Sequence, residues 1–280
     1  MTINVTEAFR RYSFYHCVDL GDGIITPGIE RFRPVQQPVL NELRRHDLRG
    51  KRALDIGCRD GLFSFEMERL GAQVHGIDND LSPAAVEFLV PYLKSQVRFS
   101  QMNLYELSVP EEQRYDFVVF AGVLYHLRMP FLGLKRIADA MKPGGILLLE
   151  TALLLSNDAH PFMLCPAPEE SPYYPDMTSV TFFNHRGLVD SLPSFGFDQI
   201  KCCGVVVPLE KGEFASYPSR EAFIEGPHSF LCSRLEPIVG RAAYTCRRSD
   251  EGIGGHSALT DFWYRTHRIH SSDVARRPQQ

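Results

Sequence analysis

The chain lacks the features that mark secreted, metal-binding and membrane proteins. Its seven cysteines are scattered, and no two of them have the CxxC spacing of a zinc or redox motif. No window contains the roughly 20 consecutive apolar residues that cross a bilayer, and residues 1–20 have no signal-peptide pattern. We therefore predict a cytoplasmic protein without disulfides, without a bound metal ion and without a membrane-embedded part.

The chain also has little excess of charge of either sign. Its 30 Lys and Arg residues face 34 Asp and Glu residues, which gives a formal net charge of -4. This balance disfavours a protein whose main partner is a nucleic acid. Residues 241–280 are mildly basic and carry Phe262, Trp263 and Tyr264. Stacking on bases therefore stays open there, beside the simpler interpretation of a solvated edge.

Strand-like and helix-like patterns alternate through the middle of the chain, and 44% of all residues are hydrophobic. Short apolar runs predict strands, and helical periodicity fills the stretches between them. The predicted strands are 52–56, 73–78, 97–102, 117–120, 146–150 and 197–207, and the predicted helices are 62–70, one opened by Ser82-Pro83, 132–141 and one capped by Asn184. This alternation predicts an α/β fold with a Rossmann-like, doubly wound, mainly parallel sheet of seven strands.

Three segments fall outside the alternation. Residues 1–32 are predicted to form an N-terminal cap with a hairpin over 15–25 that turns at 21–23. Residues 33–207 are predicted to form the core, with a lid at 156–182 that is rich in proline and aromatic residues. Residues 208–280 have weak patterning and are predicted to be a C-terminal extension.

The loop after the first core strand carries the chemistry, with the sequence Leu54-Asp55-Ile56-Gly57-Cys58-Arg59-Asp60-Gly61. Gly57 and Gly61 let the backbone turn sharply and approach a ligand. Because the spacing is not GxGxxG, a dinucleotide pyrophosphate is not expected. Asp55 would repel a phosphate and suits a cationic group such as an amine.

Two later strand ends carry further polar side chains. Asp78 ends the second core strand, where a carboxylate can accept both hydroxyl groups of a ribose. Asn103 follows the third strand, where a polar side chain could meet the amino group of an adenine. Together these groups suggest a nucleoside that carries a positively charged amino acid, which is S-adenosylmethionine (SAM).

The order of these motifs resembles that of the class I SAM-dependent methyltransferases. The resemblance covers residues 35–205 and also includes Phe117-Val118-Val119-Phe120 and Lys142-Pro143-Gly144-Gly145. It implies SAM as cofactor, with S-adenosylhomocysteine (SAH) as product. The cofactor-binding residues that we predict are Asp55, Gly57, Cys58, Gly61, Asp78, Asn79, Met102, Asn103, Leu104, Gly122 and Tyr125.

A narrower resemblance is to the branch that includes the tRNA wobble-uridine carboxymethyltransferases, which use carboxy-SAM. It rests on Gly122-Val123-Leu124-Tyr125-His126, Leu149-Glu150-Thr151 and Thr181-Phe182-Phe183-Asn184. By this resemblance, Tyr125 would lie beside the reactive end of the cofactor.

The chain departs from that branch ahead of the first core strand. Pro27-Gly28 stand near the place of a Glu-Trp pair, and the nearby cations are Arg31 and Arg33. We therefore expect ordinary SAM as the cofactor.

We expect methyl transfer to an oxygen or nitrogen atom of a small biosynthetic molecule. His126, which follows the fourth core strand, is the first candidate for a catalytic base, and His16 and His185 are its rivals. Each histidine also allows a structural role. The residues predicted to line the acceptor pocket are Tyr15, Tyr173 and Tyr174.

Two alternatives to this function stay open. One is an RNA-modifying enzyme of the wobble-uridine type, and the other is a SAM-binding partner subunit without catalysis. A homodimer also stays open.

Overall fold

One mainly parallel sheet organises the chain, and the computed structural model describes residues 4–165, 178–234 and 238–250. The strands are β1 (Asp19–Gly21), β2 (Ile24–Ile25), β3 (Arg52–Ile56), β4 (Gln73–Asp78), β5 (Arg98–Gln101), β6 (Tyr115–Ala121), β7 (Met141–Leu155), β8 (Met163–Leu164), β9 (Phe182–Asn184), β10 (Phe197–Pro208), β11 (Phe214–Tyr217) and β12 (Ile238–Arg248). The helices are α1 (Val5–Arg11), α2 (Arg33–Leu43), α3 (Leu62–Arg69), α4 (Val90–Leu93), α5 (Pro130–Ala140), α6 (His185–Ser191) and α7 (Arg220–Ile224), with a π-helical segment at Ala85–Leu89.

The strands are arranged in the order β11-β10-β12-β7-β6-β3-β4-β5, and β9 pairs with both β7 and β8. Neighbours from β5 to β7 pair in parallel, whereas β12 runs antiparallel to both β7 and β10. The seven strands from β10 to β5 match the predicted doubly wound, mainly parallel sheet, which is therefore confirmed.

Two apolar clusters cover the two faces of the sheet. Along β3, Leu54 and Ile56 belong to one cluster and Ala53 to the other, because successive side chains of a strand point to opposite faces. The first cluster includes buried residues of α5, α6 and α7, and the second includes those of α1, α2 and α3. Burial on both faces explains why the core strands are nearly continuous apolar runs.

Most predicted elements have the predicted bounds within a few residues. β3 and β4 begin and end at the predicted residues, and β1 and β2 form the predicted hairpin. β7 is longer than the predicted strand 146–150. It begins at Met141, and its pairing with β6 shifts register between Tyr115 and Phe117 before the regular ladder starts at Ile146.

The segment 208–280, treated above as an extension, contributes a strand to the middle of the sheet. β12 lies between β7 and β10, with Tyr244 opposite Leu149 and Cys202. Tyr244 is fully buried, and its neighbour Ala243 packs in the cluster on the opposite face. Small residues and antiparallel insertion give β12 a weak local pattern, which is why the sequence did not predict it.

Part of the predicted lid lies outside the described residues, including Tyr173 and Tyr174. The described parts hold β8 and β9, and β9 pairs in parallel with the end of β7. Phe262, Trp263 and Tyr264 also lie outside the described residues. Among the helices that the structure describes, none combines the length and apolar character needed to span a membrane.

The side chain of Asn184 joins the described start of the lid to α6. Its carbonyl oxygen accepts the N–H groups of Gly187 (2.8 Å) and Phe162 (3.0 Å). Its amide nitrogen donates to the carbonyl oxygen of His160 (2.8 Å) and to the hydroxyl of Ser156 (3.1 Å). Asn184 is fully buried, so all four hydrogen bonds are shielded from water.

Asn184→Ala should lower the free energy of unfolding by about 3 kcal/mol, because it removes a helix cap and leaves buried polar groups without partners. The measurement is denaturant unfolding of the full chain. The matched control is Asn157→Ala, which removes an exposed asparagine whose side-chain oxygen accepts the N–H of Ala159 (3.1 Å). It should cost less than about 0.5 kcal/mol. Equal losses in the two variants would contradict this account of Asn184.

Candidate functional site

A cavity of about 940 Å³ opens at the edge of the sheet where the parallel strands end. The residues after β3, β4, β5 and β6 form its floor, as expected for ligand sites of doubly wound sheets. The N-terminal segment and α2 supply Tyr15, His16, Phe32, Val35, Gln36 and Val39 to its wall. The predicted site residues that line the cavity are Tyr15, His16, Gly57, Asp78, Asn79, Met102, Asn103, Leu104, Gly122, Tyr125 and His126.

The Asp78 carboxylate is fixed at the end of β4. One carboxylate oxygen accepts the N–H of Arg59 (2.8 Å), and the other accepts the N–H of Asp80 (2.8 Å). Asp78 is buried yet lines the cavity. Because each carboxylate oxygen has more than one lone pair, both can still accept a ligand hydroxyl.

The loop after β3 needs glycine where it borders the cavity. Gly57 has φ +75°, and a Cβ atom there would lie 2.2 Å from Cγ2 of Val123. Gly61 has φ +89° and lies behind the wall, where a Cβ atom would meet the rings of Phe99 and Phe65. Gly57 therefore permits the turn and close packing on Val123 at the border of the cavity, and Gly61 permits packing on Phe99 and Phe65.

Asp55 and Cys58 lie behind the cavity wall and do not line it. Both are buried, and burial raises the pKa of the Cys58 thiol well above its ordinary value. Burial also raises the pKa of Asp55 from 3.8 to about 6, although the Ser64 hydroxyl donates a 2.6 Å hydrogen bond to its carboxylate. Asp55 therefore does not face the cavity directly, and its contact with a ligand amine stays a prediction.

Asn103 follows β5 and lines the cavity. Its side-chain oxygen accepts the N–H of Tyr105 (3.0 Å) and caps a short 3-10 turn. The remaining amide group and the flanking residues Met102 and Leu104 border the cavity. A heterocyclic base could therefore be recognised here by an amide and apolar contacts.

Three side chains that are distant in sequence meet in the cavity wall. The Arg241 guanidinium donates two hydrogen bonds of 2.8 Å to the two carboxylate oxygens of Glu150. It donates a third, of 3.2 Å, to the hydroxyl of Tyr125, and lies 4.6 Å from the centre of that ring. Burial opposes its charge, but Glu150 and Tyr125 outweigh burial and raise the pKa of Arg241.

Arg241 and Glu150 were not predicted as site residues. They lie 91 positions apart in the sequence, on β12 and β7, which the sheet makes neighbours. No local sequence motif around Arg241 predicts this contact. The Gly122-Val123-Leu124-Tyr125-His126 and Leu149-Glu150-Thr151 stretches were the sequence features that pointed to this part of the wall.

The three predicted catalytic histidines occupy different surroundings. His16 lines the cavity and donates from Nδ1 to the buried carboxylate of Asp60. His126 lines the cavity, and its Nδ1 lies 3.0 Å from the carbonyl oxygen and 3.1 Å from the hydroxyl of Thr178. His185 lies outside the cavity, where its Nδ1 is 2.8 Å from the Tyr244 hydroxyl and its ring stacks on Tyr244. His185 is thus wrongly placed for the catalytic role considered above.

Asp55→Asn should stabilise the protein more at pH 8 than at pH 4. Since burial raises the pKa of Asp55 to about 6, folding stability is lost as the pH rises from 4 to 6 and the buried carboxyl ionises. The loss corresponds to roughly 3 kcal/mol, and the asparagine removes it.

Denaturant unfolding at both pH values measures this difference. The exposed Asp22→Asn is the control and should change stability by less than about 0.5 kcal/mol at either pH. A gain from Asp55→Asn that is equal at pH 4 and pH 8 would rule out the ionisation of Asp55 as its cause.

A family model described as a methyltransferase domain matches residues 29–201. Among curated proteins, the chain is similar to the tRNA U34 carboxymethyltransferase of Ectopseudomonas mendocina, with 35% identity over 210 residues, 72% of this chain and 63% of that protein. It is also similar to the enzyme of the same name from Pseudomonas fluorescens, with 31% identity over 191 residues, 64% of this chain and 57% of that protein. The matches thus span about three fifths of the length of these relatives.

Among solved structures, the fold resembles the N-terminal domain of EvdMO1 with SAH bound. The TM-score is 0.60 at 17% identity, and the match covers 88% of this chain and 98% of that one. This likeness shows the same fold, and the family model covers more than half of the chain. The order of strands, the glycine loop and the acidic end of β4 agree with both findings. The chain therefore belongs to the methyltransferase-domain family, within class I of the SAM-dependent methyltransferases.

Proposed function

We propose that the chain transfers a methyl group from SAM to an oxygen or nitrogen atom of a small-molecule acceptor. The observation that carries this proposal is the cavity of about 940 Å³ at the strand ends. The cavity is lined by groups that suit a nucleoside and also by apolar and aromatic side chains. Such a cavity can hold the methyl donor and a small acceptor side by side.

The residues on the floor of the cavity fit SAM. Asp78 can accept the two ribose hydroxyls, and Asn103 with its neighbours can border the adenine. Gly57 lines the cavity, so the backbone of the loop after β3 can approach the methionine part. When bound, SAM supplies a methyl carbon attached to a positively charged sulfur, so the protein need only position and desolvate the reactants.

The apolar and aromatic residues of the cavity suit an acceptor of low mass. Tyr15, Phe32, Val35 and Phe63 give the cavity an apolar and aromatic surface. Small-molecule sites typically enclose roughly 300–1,000 Å³. The cavity volume lies near the top of this range, which supports the presence of two small ligands.

The charges in the cavity also favour a small acceptor over a long polyanion. Nucleic-acid binding depends on cations that neutralise several phosphates. Arg59 is ion-paired with Asp80, and Arg241 is ion-paired with Glu150. Two cavity cations are therefore already neutralised by carboxylates of the chain itself.

SAH release tests the proposal. The purified chain is incubated with SAM and either phenols, sugars and amines or the fraction of a cell extract below about 1 kDa. We expect SAH to form with a low-mass acceptor and to be unaffected by ribonuclease. SAH formation that requires RNA, or its absence with every low-mass acceptor, would contradict the proposed acceptor class.

A tRNA acceptor is the second candidate, supported by the curated relatives named tRNA U34 carboxymethyltransferases at 31–35% identity. In that case the chain should bind bulk tRNA tightly, with an affinity that falls steeply as salt rises. Mass spectrometry of digested nucleosides would then show a modified uridine. Lack of binding at physiological salt and of any modified nucleoside would eliminate this candidate.

Asp78→Ala should weaken the binding of SAM by about tenfold or more, because it removes a charged acceptor for the ribose hydroxyls. Asp78→Asn is a milder variant that keeps one side-chain oxygen and should lose less. Asp47→Ala, at an exposed aspartate paired with Arg49, is the control. Titration calorimetry measures the three affinities, and an unchanged affinity in both Asp78 variants would remove the ribose assignment.

A further inference from the structure

Asp60 and His16 form a buried pair that connects the glycine loop to the N-terminal segment. The Asp60 side chain has no solvent exposure, and His16 is 6% exposed. One carboxylate oxygen of Asp60 accepts the Nδ1–H of His16. The other accepts the backbone N–H groups of Tyr15 (2.7 Å) and His16 (3.0 Å). A single carboxylate thus holds both the backbone and the ring of this segment.

Asp60 stays ionised in this position. Burial opposes the charge, but the hydrogen bond and charge of the His16 ring and the hydrogen bonds from the two amides outweigh burial and hold the pKa of Asp60 below its ordinary value. A carboxylate without a proton can only accept. Nδ1 of His16 is therefore the ring atom that donates to Asp60, and Nε2 is the ring atom that can take up or release a proton.

The ring of His16 is also held from its sides. It makes edge contacts with the rings of Tyr15 (centroids 4.9 Å apart) and Phe63 (6.0 Å). His16 lines the cavity, and its Nδ1 faces the buried Asp60. We therefore infer that the opposite edge of the ring, which carries Nε2, faces the cavity. Among the described residues, Nε2 of His16 forms no hydrogen bond that would compete with a ligand.

Taking the proposed function as its basis, we infer that His16 is the general base of the reaction and that Asp60 is its positioning residue. Nε2 takes the proton from an acceptor O–H or N–H. The acceptor atom forms a bond to the methyl carbon, and the carbon–sulfur bond breaks with its electron pair left on sulfur. SAH, the methylated acceptor and a protonated His16 result. The substrate class is therefore an acceptor that must lose a proton, such as a hydroxyl or a protonated amine.

The pairing with a carboxylate makes His16 a better candidate for the general base than His126. A base becomes positively charged when it takes a proton, and the ionised Asp60 stabilises that charge. Nδ1 of His126 lies 3.0 Å from the carbonyl oxygen and 3.1 Å from the hydroxyl of Thr178, and both of these groups are neutral. His126 is also only half-buried, so water screens the charge it would gain.

Several titratable or charged groups besides Asp60 lie around His16. Asp55 of β3 is near enough for the two groups to interact electrostatically. The other titratable or charged groups of the adjacent chain, of the turn before α2 and of the shared cavity are Tyr15, Cys17, Glu30, Arg33, Arg59, Asp78, Asp80, Tyr125, His126, Arg128, Glu150 and Arg241. A change in the pH dependence of kcat can therefore be assigned to His16 only when the His16 variants are compared with variants of other residues.

Measuring which ring nitrogen of His16 carries the proton tests the inference without any acceptor. The full chain is labelled with ¹⁵N-histidine, saturated with SAH and studied by NMR across pH, with His16→Gln used to assign the signals. We expect the neutral ring to carry its proton on Nδ1, and Asp60→Asn to shift the population towards the Nε2–H tautomer. A ring with its proton on Nε2, or a ring that stays doubly protonated to pH 9, would overturn the inference.

Turnover with an acceptor that gives SAH supplies the second readout. His16→Gln, which keeps a donor for Asp60, should lower kcat about 100-fold or more while the affinity for SAH stays within about twofold. Added imidazole should restore part of the activity of His16→Ala. Asp60→Asn should lower kcat and move its acidic limb to lower pH, because the imidazolium loses its anion.

The control is His160→Ala, at an exposed histidine outside the cavity, which should keep both kcat and the pH profile. Normal kcat and an intact acidic limb in both His16 variants would overturn the inference and leave methyl transfer itself intact. Loss of the acidic limb in His126→Ala instead would transfer the role to His126. Failure of every acceptor to release SAH would refute the proposed function, whereas the NMR result would still decide the tautomer.

Discussion

The parallel register of four neighbouring strands is the constraint on which the site depends. Asp55 of β3 pairs with Gly76 of β4, and Asp78 of β4 pairs with Gln101 of β5. These backbone ladders force the chain to leave each strand at the same edge of the sheet. The glycine loop, the acidic end of β4 and the polar residue after β5 therefore meet at one cavity, although they are scattered along the sequence.

The second constraint is the attachment of the N-terminal segment to this edge. Asp60 lies in the glycine loop and holds the backbone of Tyr15 and His16, more than 40 residues earlier in the chain. The hydroxyl of Thr26 donates to the carbonyl oxygen of His16 (2.8 Å) and accepts the N–H of Val18 (2.8 Å). The loop that borders the donor site thus also fixes the wall proposed for the acceptor. In the proposed function, one carboxylate therefore connects the donor site to the acceptor wall.

Local patterns predicted most of the fold because they are set by neighbours in sequence. The bounds of β3 and β4 follow from short apolar runs that are buried on both faces, and the start of α6 follows from the capping side chain of Asn184. β12 could not be predicted in this way, because its place in the sheet depends on pairing with β7 and β10. Its small residues and arginines are ordinary for a surface segment.

In the site, too, residues placed by local sequence could be predicted, whereas contacts made by strand pairing could not. Asp78 and Asn103 were predicted because each directly follows or ends a strand, and the structure places both in the cavity wall. The contact between Arg241 and Glu150 arises only when β12 is inserted beside β7. Asp55 was predicted at the ligand because of its place in the motif, but the strand turns its side chain under the loop towards Ser64.

A crystal structure of the full chain with SAH is the decisive experiment, because it shows where the nucleoside and the sulfur lie. We expect the ribose hydroxyls on the Asp78 carboxylate, the adenine beside Asn103, and the sulfur facing the space between His16 and Tyr125. SAH bound at another place, or a cavity that accepts a nicotinamide or flavin and not SAH, would contradict it.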